Sequence, residues 1–383
     1  MKIKVTPEDF IVEEVIELPV THSGPYTLLK LQKRYWNTLD VINFVARKFS
    51  VPREKFSRAG LKDRYALSTQ YLTFQGEFKE HVEEKNFTLT PIGKVSKPIL
   101  PGDLKGNRFF IIMRDLKEDE IARIQKNYSE ICAFGFPNYF DEQRFGSARH
   151  RKGFFAKFLM QGHYEGALKS LLCYPHKEDG RKLKIFKRYC AEHWGDWSGA
   201  LPYAPFEFRK ILLFLKDNPR DYKKAIKKID REMLNLYLLA YQSFLFNEVL
   251  YYVVKKFGID TTEVPYSMGR YLFYRGLTDK KLVSDLKIPL LNDKTRCPGW
   301  LAEIMVEVLK KEGIEPRDFK LNKLRFRGVR FKSFLRPAII FPQDFSIALP
   351  EPDERYQNKK KLCINFFLPP GAYATILVKR LLL

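Results

Sequence analysis

Strand-like sequence gathers at the two ends of this 383-residue chain, and helical periodicity fills its middle. That distribution constrains the fold more than any single motif. A chain of this length exceeds one ordinary hydrophobic core, so it holds two domains or one domain carrying a large insertion. Residues 10–16 are mostly apolar, with paired Glu13 and Glu14, and follow Pro7, which reads as an early strand. Residues 66–74 (ALSTQYLTF) alternate small or polar side chains with larger ones, and 107–113 (NRFFIIM) are bulky enough for a buried strand. The signal returns at 325–332 (RFRGVRFK) and 362–368 (LCINFFL), before a Pro369-Pro370-Gly371 turn and a short closing helix from Ala372.

The helical pattern begins at Thr38, read as an N-cap, with Leu39, Ile42, Val45, Ala46 and Phe49 on one face. A second helix carries Ile121, Ile124, Tyr128 and Ile131 behind acidic residues 118–120, and Gly135 can close it in the left-handed conformation. The middle third is Lys-rich and helical at 163–172, 207–216 and 221–257, with a strand-like 271–274 and a helix through Trp300, Leu301, Ile304, Met305 and Val308 that ends near Gly313. The alternation of strands and helices reads as an α+β rhythm, and the middle third as an inserted, mostly helical domain.

Lys and Arg number 68 against 45 Asp and Glu, a formal net charge of +23 that attracts polyanions. The same surplus suits the solvated surface of a Lys-rich, thermophilic protein. Aromatic residues at 15% can stack bases as well as fill a core. Five widely spaced cysteines imply neither a disulfide framework nor a zinc knuckle, and Cys190 with His193 lacks a second ligand pair. The six histidines form no metal pair at helical spacing, no Ser/His/Asp order suggests hydrolysis, and no glycine-rich turn offers a cofactor cradle. The N-terminus has no apolar signal core and no apolar stretch is long enough to span a bilayer, so the expectation is a soluble, cytoplasmic protein with no membrane partner.

Two segments concentrate chemistry. In FSRAGLKDR (56–64) a glycine turn presents Asp63 between Lys62 and Arg64, and flanking positive charge favours an ionised carboxylate suited to nucleophilic or base work. An Asp in such a turn is also an ordinary solvated charge. In PNYFDEQRFG (137–146) aromatic rings, amides and a cation share one loop, and Asn138 offers the donor and acceptor that a uracil edge needs. Asn138 equally serves as a turn former after proline, and Phe140 and Phe145 as core. Gln143 and Arg144 extend that loop toward Arg149, His150, Arg151 and Lys152, a basic cluster able to grip phosphates. Arg325, Arg327 and Arg330 line one face of their strand together with Lys332 if Gly328 forms a bulge; otherwise the run reads as a charge-defended edge.

These segments resemble the signatures of TruD-type pseudouridine synthases. FSRAGLKDRYALSTQ matches the first and PNYFDEQRFG the second. PEDFIVEE from Pro7, the Asn37-Thr38 helix start, LKGNRF ending at Phe109, YQSFLFNEVL from Tyr241 and LPPGAYAT from Leu368 follow the family's order. The resemblance implies an α+β catalytic domain assembled from both chain ends around a mixed or antiparallel sheet (1–150 and 336–383), with a largely helical α+β insertion between them (151–335). It also implies that Asp63 is the catalytic residue and Lys4 its basic partner. It makes Asn138 and Phe140 the pair that holds a flipped base, and Tyr373 the ring stacked on the target uracil. Lys62 and Arg64 join the RNA-facing cations. Asp141 stands where the family often has glycine, and Tyr373 where it often has phenylalanine.

The implied reaction detaches uracil from its ribose, turns it over and rejoins it through carbon, without cofactor or metal. Whether the carboxylate attacks sugar or base, or only removes a proton, stays open at this level. The implied partner is tRNA, with uridine 13 near the D-arm as target; a monomer is the expectation for the assembly. The alternative is an RNA-binding or chaperone protein that keeps the fold without catalysis.

Overall fold

The computed structural model describes residues 1–146, 148, 150–297, 299–321 and 328–383; Arg149, Arg325 and Arg327 lie outside that set. The chain divides into two compact units, Met1–Gly135 with Ile340–Leu383, and Phe136–Ile339. The breaks expected at 150/151 and 335/336 both fall within the second unit, because the loop after Gly135 buries Tyr139 and Phe140 there, against Leu272 and Asn247.

The first unit runs β1 (Phe10–Ile16), β2 (Tyr26–Lys33), α1 (Thr38–Lys48), β3 (Phe56–Arg58), β4 (Leu67–Gln75), β5 (Val82–Glu84), β6 (Phe87–Val95), β7 (Leu104–Leu116) and α2 (Glu118–Phe134). It resumes with β8 (Gln343–Ile347), β9 (Glu351–Pro352), β10 (Lys360–Leu368) and α3 (Ala374–Leu381). Among the described residues these strands form one ten-stranded sheet in the order β8-β10-β7-β1-β4-β2-β6-β5, with β9 beside β10 and β3 beside β4. Only β1 and β4 pair in parallel, so the sheet is mixed.

The two chain ends meet along β7 and β10. Leu362, Ile364, Phe366 and Leu368 turn inward at period two, and Phe366 stacks on Phe109 across the ladder at 5.2 Å between centroids. Arg114 of β7 reinforces the seam from a buried position. Its Nε donates to Asp9 at 2.9 Å and its Nη1 to Asp353 at 3.0 Å, tying the N-terminal turn to the turn before β10. On one face α1 buries Val41, Ile42, Val45 and Ala46 against Leu29, Leu31, Leu72, Phe74 and Leu89. α2 and α3 pack together through Asn127 Nδ2 donating to the Leu381 carbonyl at 2.9 Å and Arg380 donating to Glu130 at 2.6 Å. Gly135 closes α2 with a positive φ of 67°, but its ψ of −162° lies outside the left-handed helical region expected of it.

Several local expectations shift. The N-cap of α1 is Asn37, and Thr38 is helical, its hydroxyl donating across to Gln70 Oε1 at 2.7 Å. Leu39 is exposed and Val41 takes its place inside. The strands β2 and β6 had no counterpart in the sequence reading; β6 contains Pro91 and Gly93 and tolerates them where the register with β2 shifts.

The second unit is mostly helical, as its periodicity predicts. Helices Tyr164–Leu172, Phe206–Asp217 and Gly299–Glu312 match their sequence patterns closely. The run at 221–257 is interrupted: Tyr222–Ile226 stops, and Asp230 caps the helix Arg231–Phe257 by accepting from Glu232 N and Met233 N. That long helix buries side chains all round, which suits a central position. Strand Gly269–Phe273 pairs with Thr262–Tyr266. No strand forms in the described part of 325–332; Gly328 is a turn at φ 76°, and the strand follows at Leu335–Pro337, paired with Lys287–Pro289. Arg330 and Lys332 are nonetheless both exposed, with Val329 and Phe331 buried between and beside them.

Candidate active site

The chemistry-bearing turn of the first unit joins β3 to β4, and residues 60–63 within it have no regular secondary structure. Its backbone must therefore find partners elsewhere. They come from β2. Alternation along that strand sends Leu29, Leu31 and Lys33 to the interior, so a lysine occupies a core position with 1% of its surface exposed. Lys33 Nζ donates to the carbonyl oxygens of Lys62 at 3.2 Å and Asp63 at 2.9 Å. Burial pushes its ammonium down to about 8; the charge of Lys62 acts in the same direction, and that of Asp63 opposes both.

The Asp63 carboxylate receives Lys4 Nζ on Oδ2 at 2.8 Å, with 38% of the side chain exposed and so within reach of a ligand. Lys4 is itself held: its backbone adopts φ 57°, unusual for a side-chain-bearing residue, and its Nζ lies 4.0 Å from the centroid of the Phe10 ring. The segment that carries it is anchored by reciprocal 2.8 Å backbone bonds between Lys2 and Arg114. A positive φ beside a charged pair is the kind of local strain that functional sites retain.

Lys62 departs from expectation. Its ammonium turns inward to Glu14 Oε1 at 2.6 Å, leaving its side chain 9% exposed, while Glu14 Oε2 accepts from Tyr71 N at 2.9 Å. A buried carboxylate demands a cation, so Lys62 serves Glu14 rather than presenting its charge outward. Thr38 Oγ1 completes the cradle by accepting from Lys62 N at 3.4 Å. Arg64 remains exposed, its Nε donating to the Tyr35 carbonyl at 2.9 Å. Tyr373 lies in the same unit at the N-cap of α3, where its carbonyl accepts from Ile376 N at 3.1 Å and its side chain is half-buried.

Asn138 and Phe140 belong to the second unit and are each 2% exposed. Asn138 Nδ2 donates to the Pro337 carbonyl at 3.0 Å, and Oδ1 accepts from Arg336 Nη2 at 2.6 Å. The Arg336 guanidinium also lies 4.1 Å from the Phe140 ring centroid. Asn247 holds the Phe140 backbone from both sides, accepting from its N–H at 2.8 Å and donating to its carbonyl at 2.9 Å. The loop is thus rigidly built around a buried amide–guanidinium contact. Gln143, Arg151 and Lys152 are exposed; Arg151 Nε donates to the Ser267 carbonyl, and His150 Nδ1 accepts from Lys152 N. Arg144 is half-buried with its guanidinium 5.5 Å from the Phe140 ring.

Among the described residues no cluster of three or more His, Cys, Asp or Glu could hold a metal ion, and no helix is long and apolar enough to cross a membrane. Cys173 and Cys190 are buried, and burial pushes both thiols up to about 12. Sequence reasoning missed Lys33, Glu14, Asn247 and Arg336. The signal for Lys33 was present, since it continues the inward parity of Leu29 and Leu31. For Asn247 and Arg336 only tertiary contact reveals the partner.

The profile of the family described as tRNA pseudouridine synthase D (TruD) matches residues 1–264 and 279–381. A Methanocaldococcus jannaschii protein named "Probable tRNA pseudouridine synthase D 2" is 35% identical over 99% of this chain and 91% of its own length. The tRNA pseudouridine synthase D of Aquifex aeolicus is 29% identical over all of this chain and 98% of its own. A TruD crystal structure from Methanosarcina mazei superposes with a TM-score of 0.73 at 25% identity, covering 99% of this chain and 93% of that one.

Proposed function

Because the chain belongs to the TruD family of tRNA pseudouridine synthases, we propose that it isomerises a uridine of tRNA to pseudouridine through the carboxylate of Asp63. The observation that carries this reading is the pair between Lys4 Nζ and Asp63 Oδ2 at 2.8 Å, on a turn whose carbonyls are held from the core. A carboxylate fixed by an ammonium yet partly open to solvent is a preorganised anion at the place where a substrate would dock. The isomerisation breaks the bond from the ribose to uracil N1 and makes one to uracil C5, while the C5 proton departs and N1 gains one. Reactant and product have the same composition, so the protein's own groups suffice.

Asp63 starts that sequence. Tyr373 stacks on the uracil and keeps the detached base from escaping, and Asn138 reads its edge from the loop that Phe140 and Arg336 rigidify. Beyond its bonds to Pro337 and Arg336, the Asn138 amide retains one hydrogen and one oxygen lone pair, the capacity a uracil edge requires. Everting the base costs about a few kcal/mol, which contacts between phosphates and exposed cations such as Arg64, Arg151, Lys152 and Arg330 offset. The target is uridine 13, in the D-arm region, and the enzyme works in the cytoplasm.

The test uses Asp63→Asn with unmodified tRNA and maps pseudouridine by chemical-adduct sequencing. Loss of product with tRNA binding retained supports the assignment, and normal turnover removes it. The position of the adduct in the wild-type reaction identifies the target uridine.

A further inference from the structure

A lysine in a protein core is rare, and the one at position 33 is committed to the turn that presents Asp63. It projects from β2 on the same face as Leu29 and Leu31, and its three ammonium hydrogens face an interior where water cannot replace a lost partner. Two of the partners it finds are the main-chain oxygens of Lys62 and Asp63, at 3.2 and 2.9 Å. A neutral amide such as asparagine also offers N–H donors but no net charge; the ammonium bonds both carbonyls and brings a full positive charge with it.

We propose that Lys33 is a positioning residue for Asp63: its buried ammonium fixes the 62–63 peptide and places a second positive charge behind the carboxylate that Lys4 meets from outside. This rests on the reading of Asp63 as the catalytic carboxylate. The cradle has a consistent charge order. Glu14 holds the Lys62 ammonium inward at 2.6 Å, while Lys33 bonds the Lys62 and Asp63 carbonyls. Lys4 pairs with Asp63 Oδ2 at 2.8 Å. Two anions, Glu14 and Asp63, thus sit among three cations, Lys4, Lys62 and Lys33. Asp63 and Lys62 are the charged groups that act most directly on the Lys33 ammonium, the first favouring its charge and the second opposing it.

The ammonium of Lys33, lowered to about 8 chiefly by burial, loses its charge as the solution becomes mildly alkaline. A positioning role with an electrostatic part therefore predicts a pH signature that plain packing would not produce. Wild-type kcat should decline through the region around pH 8, and Lys33→Met should lack that decline.

The experiment measures single-turnover pseudouridine formation and tRNA affinity for wild type, Lys33→Met and Asp63→Asn between pH 6 and 9. Lys33→Met is expected to lower kcat at least about tenfold at pH 7 with KM for tRNA changed less than about twofold, and to flatten the alkaline limb. Wild-type kcat in Lys33→Met, or an unaltered alkaline limb, overturns the proposal. Because a methionine here could unfold the unit, a second measurement follows the Lys33 side chain by lysine-selective NMR in wild type and in Asp63→Asn. Removing the Asp63 charge should move the Lys33 titration to lower pH, and an identical titration in both proteins overturns the proposal. Turnover by Asp63→Asn is a separate outcome, which removes the assignment of Asp63 itself.

Discussion

Replacing Arg114 by methionine should loosen the seam that joins the two chain ends, by an amount the structure bounds. The guanidinium donates to Asp9 at 2.9 Å, Asp353 at 3.0 Å and Glu354 at 2.8 Å. Asp9 and Asp353 are buried, and each carboxylate also accepts backbone bonds, from Thr6 N and Asp115 N respectively. Methionine fills most of the volume but leaves both anions without their cation, a loss of about 3–5 kcal/mol when a buried pair is broken on one side. Glu354 is mostly in water, and its pair adds little. For a unit of this size the loss corresponds to a fall of roughly 10 °C in Tm.

The pH dependence gives that prediction a sign. Burial alone would raise the Asp353 carboxyl, but hydrogen bonds from Asp115 N, Arg355 N and Arg114 outweigh it and hold the group below its ordinary value. Its contribution is therefore complete above the ordinary carboxylate range and disappears as pH falls through the depressed value. In the variant, Asp353 relieves itself by taking up a proton, so the stability gap should narrow from pH 7 to pH 4. Urea unfolding followed by hydrogen exchange of the β7 and β10 amides measures it. A gap below about 1 kcal/mol at pH 7, or one that widens toward acid, would refute the argument that these are desolvated, mutually dependent charges.

Two further predictions concern the site itself. Lys4→Met should lower kcat by about 10- to 100-fold with tRNA affinity unchanged, the range expected when an ion pair at 2.8 Å with one partner partly in water is removed from the reacting group; single-turnover assays beside tRNA binding measure it, and a change confined to affinity contradicts it. Asn247→Leu should destabilise the second unit by about 2–4 kcal/mol, because the Phe140 N–H loses its acceptor and its carbonyl one of its donors in a buried site. Thermal denaturation of the full chain reads that loss, and a shift indistinguishable from zero shows that water replaces the amide.

Much of the molecule was legible from local pattern. The alternation of LCINFFL, the helix Gly299–Glu312 and the positive-φ glycine at 135 follow from side-chain periodicity and backbone sterics, which act over a few residues. Thr38 shows where that reasoning stops: as a hydroxyl beside a helix start it reads as a cap, yet it bonds to Gln70 on a strand that no local pattern brings near. Lys62 shows it more sharply. Next to Asp63 and Arg64 it reads as a surface cation, and only the sheet register, which sets Glu14 of β1 beside β4, turns it inward.

The amino-acid sequence by itself determined the α+β composition and the family signatures, because those depend on residue type, order and short-range periodicity. Tertiary structure alone decided that the turn carrying Asp63 hangs from a lysine in the core, and that Asn138 is locked by Arg336. Each of those pairings joins residues 29 to 198 positions apart, and a hydrogen bond or ion pair at such separation exists only after the sheet and the long helix have brought its partners within reach.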